Sequence, residues 1–115
     1  MIKLAIIGSR DFEDFALLER EVLAHFDVAD ISLIVSGGAR GADKLGEVFA
    51  KKYKIETLIF LPQWDVYGKS AGFRRNKDIV ENADVVMAFW NGSKGTAHII
   101  KLAEESGKKV IIIKI

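Results

Sequence analysis

The sequence predicts a single α/β domain with a Rossmann-like three-layer architecture, in which a parallel five-stranded sheet carries helices on both faces. Two observations point to this fold class. Apolar runs alternate with amphipathic stretches along all 115 residues, and three of the runs end in short loops of small and polar residues. Alternating strands and helices favour right-handed βαβ crossovers and therefore a parallel sheet. The predicted strand order is 3-2-1-4-5, which reverses between the first and fourth strands.

Five apolar runs are the predicted strands, because they are rich in Val, Ile and Leu and lack the alternation of a half-exposed strand. They lie at Lys3–Ile7, Leu33–Ser36, Thr57–Leu61, Val85–Phe89 and Val110–Lys114. The missing alternation leads us to expect strands that are covered on both faces.

Four stretches between the strands have the apolar spacing of helices. They lie at about Glu13–Phe26, Ala42–Tyr53, Ala71–Asn82 and Thr96–Ser106. Asp11 is the predicted N-cap of the first helix, and Gly107 the residue that ends the last one. No linker or repeat interrupts the pattern, so residues 1–115 are expected to form one domain.

Three glycine-containing loops at strand ends are predicted to share one anion-binding site. They are Ser36–Asp43, Gly8–Arg10 and Asn91–Thr96. The carboxyl ends of parallel strands meet at one edge of the sheet, and ligands bind there where the strand order reverses. Glycines let the backbone approach an anion, and a following helix N-terminus favours negative charge. Neither the P-loop nor the dinucleotide fingerprint is present, so the pattern indicates an anion site without naming its ligand.

The composition excludes several other classes of function. Half of the residues are hydrophobic, which argues against disorder, and no run approaches the ~18 apolar residues of a membrane span. Cysteine is absent, and the two histidines lie too far apart in sequence for a metal site. No signal peptide is visible, so a cytoplasmic protein without a membrane partner is expected. The net charge of +1 provides no overall field that would attract duplex DNA.

The candidate ligand-binding residues come from the three loops and from a basic segment before and within the third helix. They are Gly8, Ser9, Arg10, Ser36, Gly37, Gly38, Gly41, Asp43, Lys69, Arg75, Asn76, Gly92, Ser93, Gly95 and Thr96. Arg75 is the strongest candidate, because a guanidinium can bind phosphate bidentately. The alternatives are tight turns for the glycines, a helix-stabilising charge for Asp43 and a helix cap for Thr96.

Three aromatic residues and one histidine complete the set of candidates. Trp64, Tyr67 and Trp90 are candidates for stacking on a base, with packing in the core or in a lid as the alternative. His98 is a weak candidate for a general acid or base, and a packing role is the alternative.

Several motifs, in order and over essentially the whole chain, give the sequence a specific resemblance to a known group. They are Gly8–Phe12, Ser36–Asp43, Trp64 with Gly68–Gly72, Arg75 with Asn76, and Phe89–His98. In these motifs the chain resembles the YspA-like branch of the SLOG superfamily of Rossmann-like proteins. That superfamily includes the cytokinin-activating nucleoside-monophosphate phosphoribohydrolases, the DNA-processing protein DprA and sensors of nucleotide-derived signals. The resemblance implies that the ligand is a nucleotide or a related molecule.

The chain departs from the hydrolase members of that superfamily at their catalytic motifs. Those enzymes use an Arg-Lys pair and a Pro-Gly-Gly-x-Gly-Thr-x-x-Glu loop. Their arginine corresponds to Arg75, but Asn76 occupies the lysine position, and Asn91 and Ser93 occupy the positions of the proline and of a glycine. Ile99 stands where their glutamate acts in N-glycosidic cleavage. Without that carboxylate, nothing obvious activates water or stabilises an oxocarbenium-like ribose.

The expected function is therefore the binding of a nucleotide or nucleotide-derived small molecule, as in a sensor. One alternative is a nucleotide phosphoribohydrolase that uses Arg75 with Asp43, Asp65 or His98. The other is a module for single-stranded DNA resembling DprA, with the strand on Lys69–Lys77 and stacked on aromatics. No metal or cofactor is predicted beyond the nucleotide-like ligand. A homodimer is expected, because relatives with this fold often pair through helices.

Overall fold

Strands and helices alternate along the chain in the computed structural model, which describes residues 1–115. The strands are β1 (Ile2–Gly8), β2 (Ile31–Ser36), β3 (Glu56–Ile59), β4 (Val85–Trp90) and β5 (Lys109–Lys114). The helices are α1 (Phe15–His25), α2 (Ala42–Lys52), α3 (Trp64–Tyr67), α4 (Ala71–Glu81) and α5 (Lys94–Glu105). Short 3₁₀ turns lie at Val28–Asp30 and Gly68–Ser70. None of the helices is both long enough and apolar enough to cross a membrane.

The five strands form one parallel sheet in the order β3-β2-β1-β4-β5, which confirms the predicted fold class and topology. β1 pairs with β4 from Leu4 opposite Val85 to Gly8 opposite Phe89. The strand order therefore reverses between β1 and β4, and the loops after these two strands leave the sheet side by side.

Two apolar clusters lie on opposite faces of the sheet, because successive side chains of a strand point to opposite sides. Leu4 and Ile6 of β1 belong to the cluster that packs against α1 and α2. Ala5 and Ile7 belong to the cluster that packs against α4 and α5. This arrangement is the predicted three-layer sandwich.

The two edge strands differ from the prediction that every strand is covered on both faces. α2 packs on β3 and α5 packs on β5, but each edge strand pairs with one neighbouring strand only, so its outer edge is open. Ile59 of β3 and Ile112 of β5 consequently remain 42% and 40% exposed. β3 also ends at Ile59 instead of the predicted Leu61, shortly before Pro62.

Two helix starts also differ from the prediction, because the N-cap residues lie at other positions in the sequence. Asp14 caps α1 by accepting a hydrogen bond from Leu17 N at 3.0 Å, so the helix begins after the predicted Glu13, and Asp11 is not its cap. α5 begins at Lys94, two residues before the predicted start, with Ser93 at its N-cap. Thr96 therefore lies within the first turn and does not cap the helix.

Candidate functional site

A polar pocket of about 370 Å³ opens at the carboxyl edge of the sheet, beside the point where the strand order reverses. The loops after β1, β2 and β4 and the start of α4 and α5 supply its walls. The structure brings nine of the predicted ligand-binding residues into this pocket. They are Gly8, Ser9, Arg10, Asp43, Arg75, Asn76, Ser93, Gly95 and Thr96.

Six further lining residues were not among the predicted ligand-binding residues. They are Ile7, Asp11, Ala39, Arg40, Asn91 and Ile99. Three of them, Ala39, Arg40 and Asn91, belong to the three predicted loops, so for these residues the signal was the loop itself and not a residue type within it. Arg40 and Asp11 form an exposed ion pair at 3.7 Å across the pocket mouth. A third arginine therefore accompanies Arg10 and Arg75.

Ser36 and four predicted glycines shape the loops and do not line the pocket. Ser36 is fully buried, its hydroxyl donates to Glu47 at 2.9 Å, and Gly38 N donates to that hydroxyl at 3.1 Å. Gly41 has a φ of +82°, and a Cβ there would overlap the backbone of Ser9 and Arg10. Gly37, Gly38 and Gly92 also lie outside the lining.

The aromatic candidates and Lys69 also lie outside the pocket. Tyr67 lines a second cavity next to α4, where the Arg74 guanidinium lies 4.3 Å from its ring centre. Trp64 is 56% exposed, and the indole of Trp90 donates to the carbonyl of Ser93 at 2.9 Å. Lys69 is exposed in the 3₁₀ turn before α4. Of these residues, Trp90 has a defined local role, since its bond orders the loop that precedes α5.

The first turn of α5 offers unpaired backbone donors to the pocket. Ala97 N is the first amide of this helix that is bonded within the protein, and it donates to Ser93 O at 3.1 Å. The N–H groups of Lys94, Gly95 and Thr96 consequently have no protein acceptor, and Gly95 and Thr96 line the pocket. Unpaired N–H groups at a helix N-terminus form a site for an anion.

Asp43 and Arg75 form the charged interior of the site. Asp43 is 5% exposed and accepts from Gly37 N at 3.0 Å, and Arg75 Nη1 donates to Gly37 O at 2.7 Å. Burial raises the pKa of Asp43 to about 6, although Arg75 and the backbone N–H groups of Gly37, Gly8 and Ala39 act in the opposite direction. A Cβ on Gly37 would lie 2.6 Å from the Asp43 carboxylate, so this close arrangement needs a glycine.

Arg75, which lines the pocket, retains free hydrogen-bond donors. Its Nε–H donates to Asn76 Oδ1 at 2.9 Å and one Nη1 hydrogen goes to Gly37 O, which leaves three N–H donors without a protein acceptor. Burial and the positive charge of Arg10 both lower the pKa of Arg75, while Asp43 raises it. Two guanidinium groups that line one pocket are suited to an anion between them.

Only two of the catalytic candidates line the pocket. Arg75 and Asp43 lie in the pocket, whereas His98 lies outside its lining and contacts Asn76 instead, with its Nδ1 2.9 Å from Asn76 Nδ2. Ile99 is 6% exposed and lines the pocket. No group of three or more metal-ligating side chains converges in residues 1–115. The arrangement can hold an anion, and Asp43 and Asp11 are the two carboxylates that line it.

Comparisons with known proteins show the family to which the chain belongs. A family model described as "YspA, cpYpsA-related SLOG family" matches residues 2–67, which include the loops after β1 and β2. The Gene 61 protein of Mycobacterium phage D29 is 34% identical to the chain over 119 residues, which cover 96% of this chain and 95% of the relative.

A solved structure shares the fold. DNA processing protein A (DprA) from Streptococcus pneumoniae superposes with a TM-score of 0.77 at 20% identity, over 97% of this chain. The chain spans half of the DprA chain. At this level of identity the likeness concerns the fold alone.

Proposed function

Because the chain belongs to the YspA, cpYpsA-related SLOG family, we propose that its strand-end pocket binds a nucleotide or nucleotide-derived small molecule, as a sensor of that ligand. The observation that carries this proposal is the convergence of unpaired N–H groups of Gly95 and Thr96 with the guanidinium groups of Arg10 and Arg75. Such a set of donors is complementary to a phosphate group, since charged hydrogen bonds are the strong ones and bidentate arginine contacts match phosphate geometry.

The size of the pocket favours a small ligand over a polymer. Its volume of about 370 Å³ lies near the lower end of the ~300–1,000 Å³ that is usual for small-molecule sites. Polar residues dominate the lining, with Ile7, Ala39 and Ile99 as the apolar exceptions. A phosphorylated sugar with a small attached group suits this surface, and the Asp43 carboxyl, which lines the pocket, can accept a hydrogen bond from one of its hydroxyls.

A second candidate function, the binding of single-stranded nucleic acid, has one observation in its favour. Arg74, Lys77 and Tyr67 line a separate cavity of about 670 Å³ beside α4, which combines cations with an aromatic ring. Single strands bind to surfaces of this composition, and their affinity falls steeply with salt. Arg75 lines both cavities, but Gly95 and Thr96 of α5 line only the first, and Arg74, Lys77 and Tyr67 line only the second.

Neighbouring arginines of α4 provide a matched test. We expect Arg75→Ala to weaken the tightest binder among AMP, GMP, CMP and UMP by about 10- to 150-fold, because a charged hydrogen bond contributes roughly 1.5–3 kcal/mol. Arg74→Ala, one residue away on the same helix and outside the pocket, should bind like the wild type. Calorimetric titration measures both.

The same pair of variants identifies the outcome that contradicts the proposal. Equal affinity of wild type and Arg75→Ala would remove Arg75 from the site. A loss confined to Arg74→Ala, together with tight binding of an oligonucleotide that weakens steeply between 50 and 200 mM salt, would favour the nucleic-acid alternative.

A further inference from the structure

A chain of hydrogen bonds runs from the pocket to the far side of the α4–α5 contact. Arg75 Nε–H donates to Asn76 Oδ1 at 2.9 Å, and Asn76 Nδ2 lies 2.9 Å from His98 Nδ1. Asn76 is 6% exposed and lines the pocket, whereas His98 is half-buried behind it. One end of the chain therefore faces the ligand space, and the other end is a titratable ring.

The direction of each hydrogen bond follows from the chemistry of the donors. A guanidinium has N–H donors and no acceptor, so the oxygen of the Asn76 amide must face Arg75 and its NH₂ group must face His98. His98 Nδ1 is then the acceptor of a hydrogen bond. It follows that His98 is neutral in this arrangement and carries its proton on Nε2.

We propose that His98 is a positioning residue that, through Asn76, holds Arg75 in the orientation that binds the ligand, and that protonation of His98 releases this hold. The inference rests on the proposed function of the pocket. A protonated imidazole donates from both nitrogens, so an Nδ1–H would face the NH₂ group of Asn76. The amide must then turn over or move away, and in either case Arg75 Nε–H loses its acceptor.

The groups around His98 keep it neutral near pH 7. Its own helix presents Lys101 and Glu105, while α4 presents the uncharged Phe73 ring, edge-on at 4.6 Å, and the Asn76 amide, with Arg75 beyond. Burial first and Lys101 second lower the pKa of His98, and Glu105 raises it. The hold on Arg75 is therefore engaged at neutral pH and is lost as the solution becomes acidic.

The other histidine provides an internal control for the tautomer. His25 Nδ1 lies 2.8 Å from the carbonyl oxygen of Glu21, which only accepts, so this nitrogen must carry a hydrogen. In two-bond ¹H–¹⁵N spectra of the ligand-free protein at pH 8, we expect the Nδ1–H form for His25 and the Nε2–H form for His98. An Nδ1–H form or a protonated ring for His98 at pH 8 would overturn the proposal.

His98→Asn separates positioning from titration. The new amide can place an oxygen where Nδ1 accepts, and it does not titrate between pH 8 and 5. In AMP titrations we expect the ratio of wild-type to variant Kd to be near 1 at pH 8 and to rise to about 5- to 10-fold at pH 5, as one hydrogen bond that positions Arg75 is lost. The ratio cancels protonation of the AMP phosphate and of Asp43, and His25→Asn should follow the wild type.

A ligand-free measurement distinguishes failure of this inference from failure of the proposed function. The Arg75 Nε–H signal, assigned by its absence in Arg75→Ala, should move with the titration of His98 in the wild type and stay constant in His98→Asn. A Kd ratio that is independent of pH, or an Arg75 signal that does not follow His98, would overturn the inference. Absence of AMP binding at every pH would contradict AMP as the ligand, and the Arg75 signal would still decide whether His98 positions this residue.

Discussion

Asp43 illustrates at the scale of one residue how binding and stability compete in this site. Its carboxylate holds the Gly37 amide at 3.0 Å and lies close to Arg75, so it organises the loop after β2. Its burial nevertheless disfavours the charged form and raises its pKa to about 6. A negative charge here also repels an anionic ligand. Asp43 therefore orders the loop after β2, while its charged form lowers the stability of the folded protein.

The pH dependence of stability tests this account of Asp43. The folded pKa of about 6 lies above the ordinary value of 3.8, so the folded state binds the proton more tightly than the unfolded chain does. The contribution of this group to the unfolding free energy is therefore largest below pH ~4 and falls, by an amount on the order of 3 kcal/mol, as the pH rises through about 6.

Asp43→Asn removes this titration. In denaturant unfolding between pH 3.5 and 7.5, we expect the stability of the wild type relative to the variant to decrease as the pH rises, most steeply between pH 4 and 6. Other titrating groups cancel in the difference. Parallel stability curves for the two proteins would show that burial of Asp43 does not disfavour its charge.

The pocket has the apolar side chain of Ile99 at residue 99 and therefore has no carboxylate at that position. Ile99 lines the pocket. The hydrolases that this chain resembles have a glutamate at the corresponding position. An apolar side chain can neither transfer a proton nor stabilise positive charge on ribose, and general acid–base help alone is typically worth about 10²–10⁴-fold. We therefore expect the wild type to bind a nucleoside monophosphate but to release almost no free base from AMP, GMP, CMP or UMP.

Chromatographic detection of the released base measures this activity, with Ile99→Glu assayed in parallel. Base release that appears only in Ile99→Glu would assign the difference to the missing carboxylate. Robust base release by the wild type would contradict the prediction and direct attention to Asp43, which lies in the same pocket with a raised pKa.

At the scale of elements, the site depends on how closely α2 approaches the sheet. Gly46 of α2 faces Ile6 of β1, and a Cβ on Gly46 would lie 2.9 Å from Ile6 Cβ and Cγ2. The Cβ atom of Ile6 cannot move unless the backbone of Ile6 moves. An added Cβ on Gly46 would therefore force α2 to shift away from β1. Such a shift would also move the loop between β2 and α2, which supplies Ala39 and Arg40 to the pocket, and Asp43 in the first turn of α2.

Two glycine substitutions in helices test this packing. We expect Gly46→Ala to lower the unfolding free energy by about 1–3 kcal/mol, as is usual for an overpacked core, despite the higher helix propensity of alanine. Gly72 of α4 has only ordinary contact for an added Cβ, with Trp64 at 3.6 Å, so Gly72→Ala should raise stability by about 0.5–1 kcal/mol. Denaturant unfolding compares them, and a stabilised Gly46→Ala would contradict the close approach.

The elements also show what the sequence could predict. The central strands and the loops after them were predictable, because buried parallel strands are continuous apolar runs and glycines at their ends mark backbone close to a ligand. The edge strands were also predicted, but their exposure was not, since the exposure of Ile59 and Ile112 depends on which strand has only one neighbour. The short helix Trp64–Tyr67 was also missed, because one turn has too few residues for a periodic pattern.

At the scale of the whole molecule, the topology brings together residues that are far apart in sequence. The predicted parallel strand order brings the three loops to one edge of the sheet. It could therefore be predicted that Ser9, Asp43 and Thr96 line one pocket. The roles of individual side chains could not. The contact of Asn76 with His98 depends on the packing of α4 against α5, which no local pattern encodes.

Association of the molecule stays a prediction. Several large apolar side chains are exposed near β3, α3 and α4, and large exposed apolar surface is typical of an interface. They include Leu61, Trp64, Val66 and Phe73. We expect a homodimer, so sedimentation should give a species of twice 12.8 kDa. A species of 12.8 kDa at high concentration would rule the dimer out.

Amide chemical-shift mapping tests the central claim most directly. With a saturating amount of the tightest-binding nucleoside monophosphate, the largest ¹H–¹⁵N changes should fall on Ser9, Arg10, Gly95 and Thr96, whose backbones surround the pocket. Tyr67 and Lys77 of the second cavity serve as the comparison, and their amides should change little. Unchanged signals at Gly95 and Thr96, with the largest changes at Tyr67 and Lys77, would contradict the strand-end pocket as the nucleotide site.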